Sequence, residues 1–319
     1  MKVAAAALVV VALSAALHAQ GPQPVPPLPA ASATQPPRVF KSGAALVALN
    51  VSVQDKSAKY VAGLQPDDFV VYEDGVKQDV RFFESAAVPL DLIVLIDTSS
   101  SMSDKVDVVH DAAAGFLKTL RDDDRGAVIG FADSVAILQP LTTDRALLDK
   151  AVRATGARGS TSLNNAVYVA LKQFGSAAAS TDEVRRQAIV VLSDGADTSS
   201  VVSLDDVLAL TRRSGVNVYT VALQSPTPGL TAVRRGFSES DYTMRALARE
   251  TGALAFFPEP SQLSGVYRSI ANELASQYSI GYVPANGRAD GRFRRVVVQV
   301  ITKPELRPRT RLGYTAAGA

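Results

Sequence analysis

The sequence predicts an α/β protein: a doubly wound, mostly parallel sheet with helices on both faces, plus a small β-sandwich-like unit formed by the two flanks of that sheet. Three observations predict it. Five short runs (Leu90 to Ile96, Gly126 to Phe131, Ala188 to Leu192, Val216 to Leu223, Ala253 to Phe257) are apolar almost throughout, and continuous rather than alternating apolarity marks strands covered on both faces. Stretches with helical spacing fill the gaps between them. On either side of this block the pattern changes to short strands and turn dipeptides, and neither flank is long enough to bury a core alone.

In chain order, residues 1–19 read as a secretory signal peptide: Lys2 precedes an apolar run from Val3 to Leu17, and Ala19 is a small residue at the expected cut. That run is too short and too Ala-rich to be a good spanning helix, and no stop-transfer pattern follows, so no stable membrane span is expected after cleavage. Residues 20–38 are a Pro-rich linker, with seven of the 17 prolines between Gly21 and Arg38, which predicts an extended tether. Residues 39–87 form a β-rich flank. Leu49, Val51 and Val53 alternate with polar residues, and Phe69 to Tyr72 and Val80 to Phe83 flank Glu73, Asp74 and Gly75, a hairpin signal because Asp and Gly tolerate the positive φ of a tight turn.

The central domain is expected over residues 88–276, with helices at Lys105 to Leu120, Asp144 to Ala154, Leu163 to Phe174, Leu204 to Ser214, Asp241 to Thr251 and Gln262 to Ser276. Ser203 with Asp206 resembles a capping box, and Gly215 and Gly252 stand at C-cap positions. The second flank, 277–319, carries strand patterns at Tyr278 to Val283, Phe293 to Ile301 and Arg311 to Tyr314, separated by Asn286-Gly287 and Asp290-Gly291 turns. It is expected to pair with the first flank.

Composition removes several function classes. There is no cysteine, so neither a disulfide nor a lipidated N-terminal cysteine is available. Loss of Lys2 takes the formal charge from +2 to +1, a balance that points to no nucleic-acid partner. Of the two histidines, His18 leaves with the signal and His110 falls in an amphipathic helical pattern, where it reads as a helix-surface residue. The chain has no Gly-x-Ser-x-Gly elbow, no phosphate-binding Gly-x-x-x-x-Gly-Lys loop and no histidine placed to serve a nucleophilic serine, so no enzyme is expected.

What chemistry the chain offers lies in oxygen donors. Asp97, Ser99 and Ser101 occupy one tight loop where the first buried strand ends. Thr161 opens a later helix, and Asp194 follows another buried strand. In a doubly wound sheet these loops share the carboxyl edge, where ligands bind. Five hard oxygen donors suit one divalent cation, Mg2+ first, with Mn2+ or Ca2+ as alternatives. Each residue also has a plain structural use: Ser, Thr and Asp cap helices, and Asp-Gly makes turns. The long segment from Gln224 to Ser240, with Arg234 and Arg235, is a candidate partner-contact loop on the same edge.

Asp97-x-Ser99-x-Ser101 with Thr161 and Asp194 resembles the metal-ion-dependent adhesion site of the von Willebrand factor A and integrin I domain family, whose sheet is Rossmann-like. Ser160 and Asn165 depart from the commoner Gly and Asp of that motif. Val61 to Gly75, Tyr278 to Pro284 and Leu312 to Tyr314 further resemble secreted bacterial proteins related to this family. The resemblance implies that the two serines and the threonine lie in or near the metal's first shell, that the aspartates act largely through water, and that an acidic residue of a protein partner fills an open position. It implies an exported protein, periplasmic or secreted, that binds by adhesion. The alternatives are an envelope scaffold in which a metal only stabilises a loop, and a metal-dependent hydrolase.

Overall fold

The computed structural model describes residues 46–85, 88–178, 184–224 and 238–318. The expected signal peptide and linker, and the pair Arg234 and Arg235, lie outside the described residues. The central sheet has six strands: β5 (Leu90–Asp97), β6 (Arg125–Phe131), β7 (Val135–Thr142), β8 (Arg186–Ser193), β9 (Asn217–Ala222) and β10 (Ala255–Phe256), in the spatial order β10-β9-β8-β5-β6-β7. Every neighbouring pair is parallel except β6 with β7. The sheet reverses direction of growth at β5, so the crevice beyond the carboxyl ends of β5 and its neighbours is the switch point where such sheets take ligands.

Helices α1 (Val106–Leu117), α2 (Arg145–Arg153) and α6 (Leu263–Ser276) cover one face through Leu92, Val94, Ile96 and Val128. Helices α3 (Leu163–Ala178), α4 (Leu204–Ser214) and α5 (Glu239–Thr251) cover the other through Ile93, Leu95, Ala127 and Ile129. Burial on both faces is why β5 is apolar at nearly every position. Its one charged interior residue, Asp91, is buried but accepts Arg125 through both nitrogens of a fork (2.8 and 2.6 Å) and Arg185 Nε (2.8 Å). Gly215 and Gly252 end α4 and α5 with φ of 73° and 72°, the left-handed conformation that favours glycine. Ser203 caps α4 by accepting Asp206 N–H (3.2 Å), but its hydroxyl then donates to Asp206 Oδ2 (2.6 Å) in place of the reciprocal bond of a capping box.

The flanks build two four-stranded antiparallel sheets. One has the order β13-β1-β11-β4, from β1 (Val47–Gln54), β4 (Val80–Ser85), β11 (Tyr278–Tyr282) and β13 (Arg307–Arg309). The other runs β14-β12-β2-β3, from β2 (Phe69–Glu73), β3 (Val76–Gln78), β12 (Phe293–Val300) and β14 (Gly313–Thr315). Each sheet mixes strands from both flanks, and their inner faces share Leu49, Val51, Val53, Phe69, Val71, Tyr278, Ile280, Val296 and Val298. The hairpin differs from expectation: Asp74 and Gly75 (φ 48° and 83°) turn β2 into β3, whereas Val80 to Phe83 crosses to the opposite sheet and pairs with β11. The edge strand β7 was also not expected. It is largely exposed and carries Pro140, as edge strands tolerate, so it lacks the continuous burial that marks its neighbours.

The sandwich is fastened to the central domain by Glu273 of α6. Its Oε1 accepts Ser52 Oγ (2.8 Å), Tyr219 OH (2.8 Å) and Arg309 Nη2 (2.6 Å), and its Oε2 accepts Tyr60 OH (2.6 Å). Among the described residues, no helix is long and apolar enough to cross a membrane.

Candidate metal site at the carboxyl edge

Asp97 is the last residue of β5, and the chain then turns through Thr98 and Ser99 into a short 3-10 turn, Ser100–Met102, before α1. The loop is held from both sides. Thr98 N–H donates to Phe131 O (2.8 Å), while Ser100 N–H donates to Gly159 O (3.0 Å), tying it to the segment that carries Thr161. Asp194 follows directly on Ser193, the last residue of β8, which is hydrogen-bonded beside β5.

The side chains converge accordingly. Asp97 Oδ1 accepts Ser99 N–H (2.8 Å), and Oδ2 accepts Ser193 Oγ–H (2.5 Å). Ser99 Oγ and Ser101 Oγ lie 3.0 Å apart, and Ser101 Oγ–H donates to Asp194 Oδ1 (2.6 Å). A methyl group at Gly195 would lie 3.7 Å from Thr161 Oγ1 and 3.9 Å from Ser101 Oγ, so both hydroxyls face one small space beside that glycine. Asp97, Ser99 and Thr161 are buried, whereas Ser101 is exposed at the mouth. Burial holds the Asp97 carboxyl above the usual carboxylate range, against the hydrogen bonds of Ser193 and Ser99.

Four further residues build the site and were not singled out by the sequence. Lys105 is the most consequential. Its ammonium donates to Ser101 O (2.8 Å), Asp194 Oδ2 (2.8 Å) and Asp104 Oδ1 (3.0 Å), and only 6% of its side chain is exposed, against 3% for Asp194. Burial would lower its pKa, but Asp194 and Asp104 more than offset this and raise it. The Lys105 ammonium therefore offsets part of the negative charge of Asp194 inside the site, and its other carboxylate partner, Asp104, is exposed. Ser193 anchors Asp97. Asp133 accepts Ser160 N–H (2.8 Å) and the Ser160 hydroxyl, and its carboxylate fills the space where a side chain at Gly159 (φ 78°) would go. Thr198 Oγ1 accepts Thr161 N–H (3.1 Å). Lys105 stands at the N-cap of α1, eight residues after Asp97 and between Asp104 and Asp107, where a lysine reads as an ordinary helix-start residue. The other three are short polar residues, Ser193 at the end of β8 and Asp133 and Thr198 in loops, with nothing in their spacing to mark them.

The two departures from the commoner motif have local uses. Ser160 holds Asp133, and Asn165 Oδ1 accepts Val201 N–H (3.2 Å) and Val202 N–H (3.0 Å), bracing the loop after Asp194. His110 is not a surface residue: it is buried, its Nε2 lies 2.7 Å from Thr155 Oγ1, and it takes no part in the cluster.

The donor set fits a hard divalent cation. Adjacent oxygens of an octahedral Mg2+ site stand roughly 3 Å apart, given bonds of about 2.1 Å, and the Ser99, Ser101 and Asp194 oxygens are spaced at 3.0 and 2.6 Å. Among the described residues no three His, Cys, Asp or Glu side chains gather as a metal-binding group, so a carboxylate-rich cage is not what this edge offers. Hydroxyls supply the larger share of its donors.

A doubly wound sheet whose carboxyl edge gathers hydroxyls and two carboxylates from three neighbouring segments defines the class: an α/β module with a cluster of oxygen donors at that edge. The von Willebrand factor type A domain model matches residues 91–262, more than half of the 319, and the chain belongs to that family. Domains of this family commonly bind proteins. Among solved structures, a von Willebrand factor type A protein from Catenulispora acidiphila matches with a TM-score of 0.50 at 13% identity, over 87% of this chain and 76% of that one. Proximal thread matrix protein 1 from the mussel byssus matches with a TM-score of 0.50 at 16% identity, over 63% and 50%. Another structure of that mussel protein has zinc in its metal-ion-dependent adhesion site (TM-score 0.48, 18% identity, 59% and 48% covered). A protein of Borreliella burgdorferi is 22% identical over 207 residues, which span 60% of this chain and 56% of that relative's length. At these identities the likeness to the solved structures extends to the fold.

Proposed function

We propose that the chain is an exported binding protein that captures an acidic side chain of a protein partner through one divalent cation, Mg2+ first, held by Asp97, Ser99, Ser101, Thr161 and Asp194. The observation that carries this reading is the charge of the cluster. Of the five donors only Asp97 and Asp194 are charged, and Asp194 is already paired with the Lys105 ammonium, so a bound divalent ion keeps an attraction for an incoming carboxylate. A site of three or four carboxylates would neutralise the ion and gain nothing from another anion. Arg234 and Arg235, on the segment between β9 and α5, are the proposed second contact for that acidic partner. Export rests on Lys2, the apolar run behind it and Ala19.

A role in which the metal only stabilises a loop is disfavoured by the hydrogen bonds themselves. Ser193, Ser101 and Lys105 already satisfy the two aspartates, so the loop has protein partners for its charges. Chelation should therefore abolish capture of a partner from envelope extract while lowering the melting temperature by no more than about 2 °C, the scale of a change under 1 kcal/mol in a domain of this size. Capture that persists in chelator would refute the reading, and a large fall in melting temperature with unchanged capture would favour the scaffold.

A further inference from the structure

At the opposite, amino-terminal edge of the central sheet a cavity of about 360 Å3 separates the domain from the outer face of the sandwich. Its floor is set by strand beginnings: Asp91 near the start of β5, Arg125 at the start of β6, and Arg186 at the start of β8. Arg185, Arg213 at the end of α4, and Arg311 close its sides, and Ser279 of β11 faces it from the sandwich. Five guanidinium groups thus line one cavity against a single carboxylate. That carboxylate is already committed, since Asp91 takes both Arg125 and Arg185 in direct ion pairs.

The other three arginines have no carboxylate partner among the described residues. Arg186 is buried and donates only to the backbone, to Val88 O (3.0 Å) and Leu274 O (2.5 Å). Arg311 donates from Nη2 to Ala48 O (3.0 Å), and its buried Nε has no acceptor. Arg213 is exposed at the cavity's side and makes no ion pair among the described residues. Ser279 is 8% exposed, and its buried Oγ has no hydrogen-bond partner. Burial, with the like charge of Arg121 nearby, brings the Arg186 guanidinium down to about 10, and burial also lowers Arg311. Arg311 also lies over the Tyr314 ring, 5.4 Å from its centroid, but cations without a carboxylate partner and an orphaned buried hydroxyl are costly features, normally offset by an acceptor. An engaged carboxylate and a set of spare donors call for a ligand that only accepts.

We propose that this cavity binds a compact, multiply charged oxyanion, a phosphate or phosphate ester, through Arg186, Arg213, Arg311 and Ser279. Guanidinium forks match the paired oxygens of a phosphate. The volume lies at the low end of the range for small-ligand sites, which favours a small molecule over an extended acidic peptide. The site stands at the other edge of the sheet from Asp97 and Asp194, so it neither requires nor reports on the proposed metal.

The test is calorimetric titration of the full chain with inorganic phosphate in metal-free buffer, against sodium chloride at matched ionic strength. Phosphate should bind saturably at one site and raise the melting temperature, where chloride does not. Arg213→Gln alters an exposed residue and should fold normally, yet weaken phosphate about tenfold, the loss of one charge-assisted hydrogen bond. Ser279→Val should weaken it without removing a charge. Arg311→Gln should abolish binding, and the other two variants keep the test decisive if it does not fold. Competition between inorganic phosphate and a phosphate monoester distinguishes the two sources: displacement at lower concentration by the monoester assigns an ester ligand, the reverse assigns the free ion. Heats indistinguishable from chloride, wild-type affinity in Arg213→Gln and Ser279→Val, or binding of an oligoglutamate peptide in place of phosphate would each overturn the proposal.

Discussion

Two buried acidic clusters in this molecule use nearly the same parts to opposite ends. Around Glu273, one carboxylate meets a serine hydroxyl, two tyrosine hydroxyls and Arg309, contributed by β1, the loop after it, β9 and β13. Around Asp97 and Asp194, two carboxylates meet serine hydroxyls and Lys105, almost all from one loop and the strand beside it. At Glu273 each donor comes from a different segment, and the carboxylate itself is fully buried. Ser101, by contrast, is exposed, and its hydroxyl is shared between Ser99 and Asp194. A buried carboxylate whose donors come from many elements is a fastener, while one whose donors can be redirected outward together is a ligand site.

The largest expected effect lies on the fastening side. Removing everything after Gln277 takes away β11 to β14, half of each sandwich sheet, and uncovers Leu49, Val51 and Phe69. The truncated chain should lose its cooperative thermal transition and its solubility. A truncated protein that melts as cooperatively as the intact one would break the link between the two flanks.

Next comes Glu273→Gln, which keeps the shape but removes the charge that faces Arg309 and sets an amide donor among hydroxyl donors. It should cost about 3 kcal/mol in denaturant unfolding, as for breaking a buried pair, with Mg2+ affinity unchanged. A loss of metal affinity equal to that of a site variant would mean that the two clusters are not independent.

Lys105→Met sharpens the other side. Taking one positive charge from beside the cation should tighten Mg2+ by about tenfold or more, because unit charges several ångströms apart in a partly buried site interact by more than 1 kcal/mol. An unchanged affinity would mean that Lys105 does not share the electrostatics of the site.

A smaller effect tests the amino edge of the sheet. Asp124 accepts Leu90 N–H (2.8 Å) and several Arg121 bonds. Burial opposes its ionisation, but Arg121 and the backbone N–H groups hold its carboxyl below the usual range. A folded pKa below the unfolded one stabilises above the unfolded value near 4, and that contribution is lost as pH falls through the folded value. Asp124→Asn should therefore flatten the acid limb of the stability profile below about pH 4, and an unaltered limb would remove Asp124 from the account.

The same contrast explains what the sequence made legible. Strands covered on both faces write themselves as apolar runs, so β5, β6, β8 and β9 were readable, as were the six helices and the glycine C-caps of α4 and α5. Periodicity reports burial rather than pairing, and so it missed that Val80 to Phe83 leaves its hairpin for the opposite sheet. The exposed edge β7 had no continuous burial to announce it. Asp97, Ser99, Ser101, Thr161 and Asp194 stood out because three of them fall within five residues at the end of a predicted strand, Asp194 follows another, and Thr161 opens a predicted helix. Lys105 read as a helix residue because only the fold brings Asp194, 89 positions away, to its ammonium. His110 read as exposed because the helical pattern cannot show that Thr155 faces it.

The central claim is that the carboxyl-edge cluster holds an exchangeable divalent cation. Its most direct test is calorimetry of Mg2+ binding to the full chain and to Asp97→Ala, with far-ultraviolet circular dichroism to confirm that both are folded. The account predicts one saturable Mg2+ site in the wild type and none in the variant. Equal Mg2+ binding by a folded Asp97→Ala protein, or no saturable site in the wild type, would contradict it and leave these residues as caps and turns.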